Sequence, residues 1–342
     1  MRYTLEAEAF FFNAKTDYLP YYKHFTLTLD EQATSRDLLA SIVERNRNFA
    51  FPEERLVFRI NGLVCTGNET IASIVSRFGT SLRIDPVQTY RSMHCLVIND
   101  DDFYQAYERL APFCDEEDKA YYESLYALHY ASVTFDYDKA YAGDAVLALA
   151  GRLIEKYPQK ADAVRAAVKD VAAMCEYENA LFEPFDLQEA LDRIKIPVPP
   201  SAAPSVLDKL KARVFKSSQK TALPAVAIEG KTVALYTGQA DSVDAAARIK
   251  AQGATLLTFP KATRRNGRSI IKEARKLALR KAADILLDAF DNGAEVFVCL
   301  DADDAGYFIR NKRAIEQAAG REIDMTITAW DVQTFGTVDR AA

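Results

Sequence analysis

Through the first hundred residues, hydrophobic positions recur mostly at every second place. Leu5, Ala7, Ala9 and Phe11 alternate with more polar neighbours, and Phe25, Leu27 and Leu29 repeat the period. That is the spacing of strands with one buried face. The period changes over residues 35–46, where Leu38, Leu39, Ile42 and Val43 share one helical face behind Thr34 or Ser35 as N-cap. Residues 56–60 return to a strand, ended by the turn pair Asn61-Gly62. A short helix over 70–78 and a strand over 82–84 follow. Strand, strand, helix, strand, with further strands after a crossing, suits a β-grasp sheet.

Residues 111–195 carry a helical period throughout. Asp115, Glu116, Glu117 and Asp118 place acids at a helix start, where the helix dipole favours them. Residues 144–156 predict an apolar helix and 161–175 an Ala/Val-rich one. Pro197, Pro199, Pro200 and Pro204 then break the pattern, and a Lys/Ser stretch runs on to Lys220, the composition of a semi-rigid linker. Beyond it strands and helices alternate: strands over 233–236, 255–259, 295–300 and 325–329, and helices over 242–251, 269–290 and 304–318. Such alternation predicts a mainly parallel sheet with helices on both faces. The expected class is therefore multidomain α+β. It comprises a β-grasp part (1–110), a helical part (111–195), a linker (196–224) and an α/β part (225–342).

Length supports that division, because 342 residues exceed one ordinary domain of about 150. With 49% hydrophobic and 27% charged residues, disorder and low-complexity arrays are excluded. The net charge of −6 predicts no nucleic-acid partner. No apolar run approaches a membrane span, and residues 1–8 lack the apolar core of a signal peptide, so a soluble cytoplasmic protein without membrane insertion is expected. Cys65, Cys95, Cys114, Cys175 and Cys299 stand at least 19 residues apart. Neither a disulfide framework nor a local zinc or iron–sulfur motif fits that spacing, and free reduced thiols are expected.

Several segments nonetheless resemble the iron–sulfur subunit of succinate dehydrogenase and fumarate reductase. These are Phe12-Asn13-Ala14-Lys15-Thr16-Asp17 with Pro20, Asp37-Leu38-Leu39, Ile60-Asn61-Gly62, Ile84-Asp85-Pro86, Leu96-Val97-Ile98-Asn99-Asp100, and Phe103-Tyr104 with Tyr107 and Pro112. In that family they frame a β-grasp ferredoxin domain. A plant-type cluster needs C-x4-C-x2-C and one distant cysteine. Where the ligand loop would fall, this chain has Asn48-Phe49-Ala50-Phe51-Pro52-Glu53-Glu54-Arg55, and Cys65 stands alone near the fourth position. The next region behaves alike. Leu125-Tyr126 and Asp138-Lys139-Ala140-Tyr141-Ala142-Gly143 resemble the family's helical domain, but the intervening Ala127-Leu128-His129-Tyr130-Ala131-Ser132-Val133-Thr134 lacks cysteine. His129 is expected to be a packed or capping residue.

The last region resembles the C-terminal half of the catalytic subunit of heterodisulfide reductases, whose repeats use Y-x-G-C, C-C-G and C-x-x-C-Y. Tyr236-Thr237-Gly238-Gln239 puts Gln239 at the first cysteine position. Phe259-Pro260-Lys261-Ala262-Thr263 stands where C-C-G would fall, and Asp303 and Gly306 take the C-x-x-C places. Together the resemblances imply a retained framework with its cluster ligands lost and no cofactor. The expected function is non-catalytic, through protein–protein contacts with a respiratory or thiol-dependent reductase. Cys65 and Cys299 are the thiols left near former ligand positions.

Two further features bear on function. Asp301-Ala302-Asp303-Asp304-Ala305-Gly306 at a strand end is similar to the D-x-D-x-x-G of Toprim domains, with Ile228-Glu229-Gly230 upstream in place of their Glu-Gly. Clustered carboxylates there could hold Mg2+ for phosphoester chemistry; the alternative is that they cap the next helix. Charge is also uneven. Residues 261–281 carry nine basic residues against Glu273, while 96–144 carry twelve acidic residues against Arg109, Lys119 and Lys139. Arg264, Arg265, Arg268 and Arg275 are the candidate contacts for an anion or an acidic partner at the start of the 269–290 helix.

Overall fold

The computed structural model describes residues 1–195, 226–240 and 243–330, so the 196–224 linker lies outside the described residues. These residues form eleven α-helices and three sheets in a mixed α+β arrangement. The chain divides into two compact units, Met1–Ile196 and Pro197–Ala342.

The first unit opens with β1 (Arg2–Phe11) and β2 (Tyr21–Asp30), an antiparallel hairpin in continuous register from Arg2–Asp30 to Phe11–Tyr21. Helix α1 (Ser35–Arg45) starts at Thr34, whose hydroxyl and the Asp37 carboxylate form a reciprocal capping box. Strands β3 (Phe58–Ile60) and β4 (Leu63–Cys65) turn through Asn61 and Gly62. Both turn residues have positive φ, 47° and 89°, as a two-residue hairpin turn demands. Helix α2 (Ile71–Phe78) leads to β5 (Ser81–Asp85), which runs parallel to β1. The sheet order is β2-β1-β5-β3-β4. Strands β6 (Ser92–His94) and β7 (Val97–Ile98) form a separate small sheet.

Helices α3 (Asp101–Tyr107), α4 (Glu116–Ser124), α5 (Tyr126–Tyr130), α6 (Asp144–Lys156), α7 (Ala161–Met174) and α8 (Gln188–Ile194) complete the unit. Helix α6 is apolar nearly all round and correspondingly buried. Gly151 admits α8, since a Cβ there would lie 2.7 Å from Ala190 Cα. The helical period expected through residue 195 breaks at 175–187. Val64 N–H donates to Ala180 O (2.7 Å) and Phe182 N–H to Val64 O (2.8 Å). That segment thus satisfies the open edge of β4 instead of its own helix.

The second unit contains β8 (Thr232–Tyr236), α9 (Val243–Ala251), β9 (Thr255–Leu257), α10 (Arg275–Asp291), β10 (Val296–Cys299), α11 (Ala302–Ala319) and β11 (Thr326–Ala329). Its sheet is all-parallel in the order β11-β10-β8-β9. Alternation assigns the faces. Val233, Leu235, Val296 and Val298 pack with α9 residues Ala245 and Ile249. Ala234, Tyr236, Phe297 and Cys299 pack with α10 and α11. A sheet covered on both faces explains why β10 is continuously apolar. The helix expected over 269–290 is shorter: a 3-10 turn at Arg268–Ile270 comes first and α10 begins at Arg275. Asn266 Oδ1 accepts from Arg268 N–H at 2.9 Å, and Gly267 is left-handed at φ 86°. A Cβ at Gly267 would sit 2.6 Å from the Ala278 backbone. The local turn thus captures the first part of the apolar pattern.

Candidate functional site

In the second unit, β8 is followed by β9 on one side and, after α10, by β10 on the other. The chain therefore reverses direction across the sheet between β8 and β10, and the carboxyl ends of those strands form the edge where open α/β sheets place ligands. Three loops meet there. Tyr236 Oη donates to Arg264 O (2.6 Å), and the N–H groups of Thr237 and Gly238 donate to Ala262 O at 3.0 and 3.1 Å. Gln239 Nε2 reaches Thr263 O at 3.0 Å. Across the edge, Asp301 N-caps α11 by accepting from Asp303 N–H at 2.8 Å.

Arg268 joins the loops. Its guanidinium meets Asp301 at 3.1 Å, Asp303 at 3.3 Å and Asp304 at 3.0 Å. Asp304 is the most enclosed of the three carboxylates. Burial raises its pKa, and its Asn266 and Arg268 neighbours oppose that rise. Cys299, directly below, is fully buried, and burial together with Asp304 and Asp301 drives its thiol well above the ordinary range.

The four candidate arginines do not act as one group. Arg268 is committed to the three aspartates, whereas Arg275 is exposed as the first residue of α10. Arg264 and Arg265 are half-buried, with the Arg264 carbonyl used by Tyr236. They lie in the loop before the 3-10 turn, away from the helix start expected for them. The structure does gather Asp301, Asp303 and Asp304, but around an arginine. Glu229 precedes β8 and so stands at the opposite edge of the sheet. Among the described residues, no group of three or more His, Cys, Asp or Glu is arranged to hold a metal ion.

A second polar centre is buried in the first unit. His129, 0% exposed, directs Nε2 at Asp102 Oδ2 (3.0 Å), while Arg91 (2.9 Å) and the Tyr130 hydroxyl (2.9 Å) hold the same carboxylate. Burial pushes the His129 pKa down despite Asp102. Burial also works to raise Asp102, but its His129, Arg91 and Tyr130 partners outweigh it and hold that carboxyl below the usual range. Neutral imidazole donating to carboxylate satisfies both shifts. Phe103, Tyr130 and Phe135 surround the ring with centroids 5.3, 4.7 and 5.3 Å away, making His129 the packed residue expected. Asp102 and Arg91 gave no sequence signal, because each acts through a partner on another element.

A surface cleft of about 250 Å3 lies between α6 and α8, and its arginines are paired: Arg152 with Glu117 and Asp118, Arg193 with Glu155 and Glu189. Among the described residues, no helix is long and apolar enough to cross a membrane.

No family model and no curated protein matches the sequence. Among solved structures, the crystal structure of a hypothetical protein from Helicobacter pylori is similar at a TM-score of 0.45 and 16% identity, covering 95% of this chain and 70% of that one. At that likeness, fold and function both rest on the residues of this chain.

Proposed function

We propose that this chain is a non-catalytic, cluster-less paralogue of an iron–sulfur subunit, acting through protein–protein contacts with a respiratory or thiol-dependent reductase. One observation carries the reading. In the 48–55 segment, where the succinate dehydrogenase resemblance sets the first ligand loop, Phe49 is committed to packing while Asn48, Glu53, Glu54 and Arg55 stay exposed. Phe49 is 2% exposed, with its ring centroid 5.3 Å from that of Phe11. Ala50 O accepts from Leu96 N–H at 3.0 Å, and Asn48 O lies 3.1 Å from His94 Nε2 and 3.5 Å from Cys95 Sγ. A cluster loop must converge thiolates on one centre, whereas this loop anchors an aromatic side chain.

Three features support the reading. The order β2-β1-β5-β3-β4 accords with a β-grasp frame. His129, in the segment that would hold further clusters, is tied to Asp102. In the second unit Gln239 and Thr263, two positions matched to heterodisulfide reductase ligand segments, sit side by side. A contact surface is at hand where Ala14 N–H bonds Met93 O (3.0 Å), joining the strand that carries exposed Met93 to the segment that leads on to exposed Tyr18, Leu19 and Tyr21. Magnesium-dependent phosphoester chemistry is the weaker reading, since Arg268 already serves as counter-ion to Asp301, Asp303 and Asp304.

Anaerobic reconstitution with iron and sulfide tests the proposal. The expected product lacks stoichiometric iron and visible-region cluster absorption, and a stable cluster would overturn the reading. Calorimetry with Mg2+ tests the rival: heat that disappears in the Asp301→Asn, Asp303→Asn variant would favour it.

A further inference from the structure

Strand β2 is one edge of the five-stranded sheet, and at ten residues it is longer than β4, β9 and β11 at the other edges of the two larger sheets. Which of its main-chain groups face outward follows from the register. Glu31 N–H donates to Met1 O (2.8 Å), continuing the β1–β2 pairing of Arg2 with Asp30. Odd-numbered β2 residues therefore bond β1, and Tyr22, His24, Thr26, Thr28 and Asp30 aim their N–H and C=O groups away from the sheet. Among the described residues, no main-chain group of residues 22–29 bonds to anything beyond β1, and only Asp30 O is engaged, by Ala33 N–H at 3.1 Å. The opposite edge, β4, is covered by residues 180–182 of the same chain. Strand β2 also lacks the proline, glycine or bulge that commonly blunts an edge.

We propose that β2 pairs antiparallel with β2 of a second copy of this chain, extending the sheet across a two-fold axis opposite Leu27. Outward-facing residues must meet outward-facing residues, which restricts the register to steps that keep even numbers opposite even numbers. In this register Thr26 faces Thr28 and His24 faces Asp30 on one side of the sheet. Phe25 faces Leu29, and Lys23 faces Glu31, on the other. Registers with the axis at Thr26 or Thr28 set Lys23 against Leu29 or Ala33 and lose that pair. The strand is thus self-complementary about one point, cationic at one end, anionic at the other and apolar between. That pattern fits an isologous contact with an identical strand better than an unrelated peptide. Glu31 already holds the N-terminal ammonium with Oε1 at 3.0 Å, leaving Oε2 for the partner's lysine.

Sedimentation velocity on the full chain at micromolar concentration tests this. The wild type should sediment as a dimer. Thr26→Pro deletes an outward donor while leaving the β1 ladder intact, and should give a monomer with unchanged far-UV circular dichroism. Lys23→Glu should weaken the dimer at least about tenfold, equivalent to about 1.4 kcal/mol, and Lys23→Glu with Glu31→Lys should restore it. A wild-type monomer, a dimer indifferent to Thr26→Pro, or a charge swap without rescue would each overturn the proposal. The swap decides the matter even if the proline variant misfolds.

Discussion

Replacing Gly143 by alanine should destabilise the first unit by about 2–6 kcal/mol. Gly143 caps α6 at φ 80° and ψ 157°, a region almost reserved for glycine, where another residue costs about 1–3 kcal/mol. Its added Cβ would lie 2.3 Å from His129 Nδ1 and 2.8 Å from Cε1. The imidazole cannot retreat, because Asp102 fixes Nε2 and aromatic rings enclose it. Overpacking of this kind adds about 1–3 kcal/mol. Gly62→Ala is the matched control: φ is 89°, but nothing lies within 4 Å of the new Cβ, so only the backbone cost remains. Urea unfolding followed by tyrosine near-UV signals reads the right unit, since fifteen of the seventeen tyrosines precede residue 196, and Trp330, the sole tryptophan, reports the other. His129→Ala in the Gly143→Ala background should recover part of the loss, the signature of a direct clash. A Gly143→Ala midpoint no lower than that of Gly62→Ala would refute the reasoning.

Three other outcomes follow from the same geometry. His129 is held neutral, so the unfolded chain takes up its proton first; stability present above pH of about 6.5 should decline as pH falls below it, and His129→Gln should flatten that part of a pH-dependent unfolding series. Arg268→Ala should cost about 1–2 kcal/mol at neutral pH, mostly through Asp304, because its pairs with Asp301 and Asp303 are largely exposed. The raised Asp304 pKa makes that cost fullest above the pH where the carboxyl ionises and smaller in acid, so a loss independent of pH in Trp330-detected unfolding would contradict it. Cys65, Cys95, Cys175 and Cys299 are buried while Cys114 is half-exposed, so a thiol reagent should modify one cysteine in the native protein and five after denaturation.

Where neighbours in sequence are neighbours in space, the pattern was informative. The Asn61-Gly62 turn, the Thr34 cap, α6 and the alternating elements of the second unit all depend on residues within a few positions of one another. The 269–290 helix failed for a local reason too, since Asn266 and Gly267 offered the backbone a competing turn that the apolar period could not register. Residues 175–187 failed for a distant one, because their partners are the main-chain groups of Val64 and Ala131.

The sequence by itself determined the class of most segments, the scattering of the cysteines and the presence of three carboxylates at a strand end. Periodicity and spacing are one-dimensional properties and can be read in one dimension. Tertiary structure decided which charges meet. Arg268 lies 33 residues from Asp301 and Arg91 lies 11 residues from Asp102, and no local rule links such pairs. It decided that Phe49 fills the core within the 48–55 segment, and that one sheet edge is covered by its own chain while β2, among the described residues, stands open. Long-range pairing is fixed by burial and by the need to satisfy every enclosed polar group, and both conditions exist only after the chain has closed on itself.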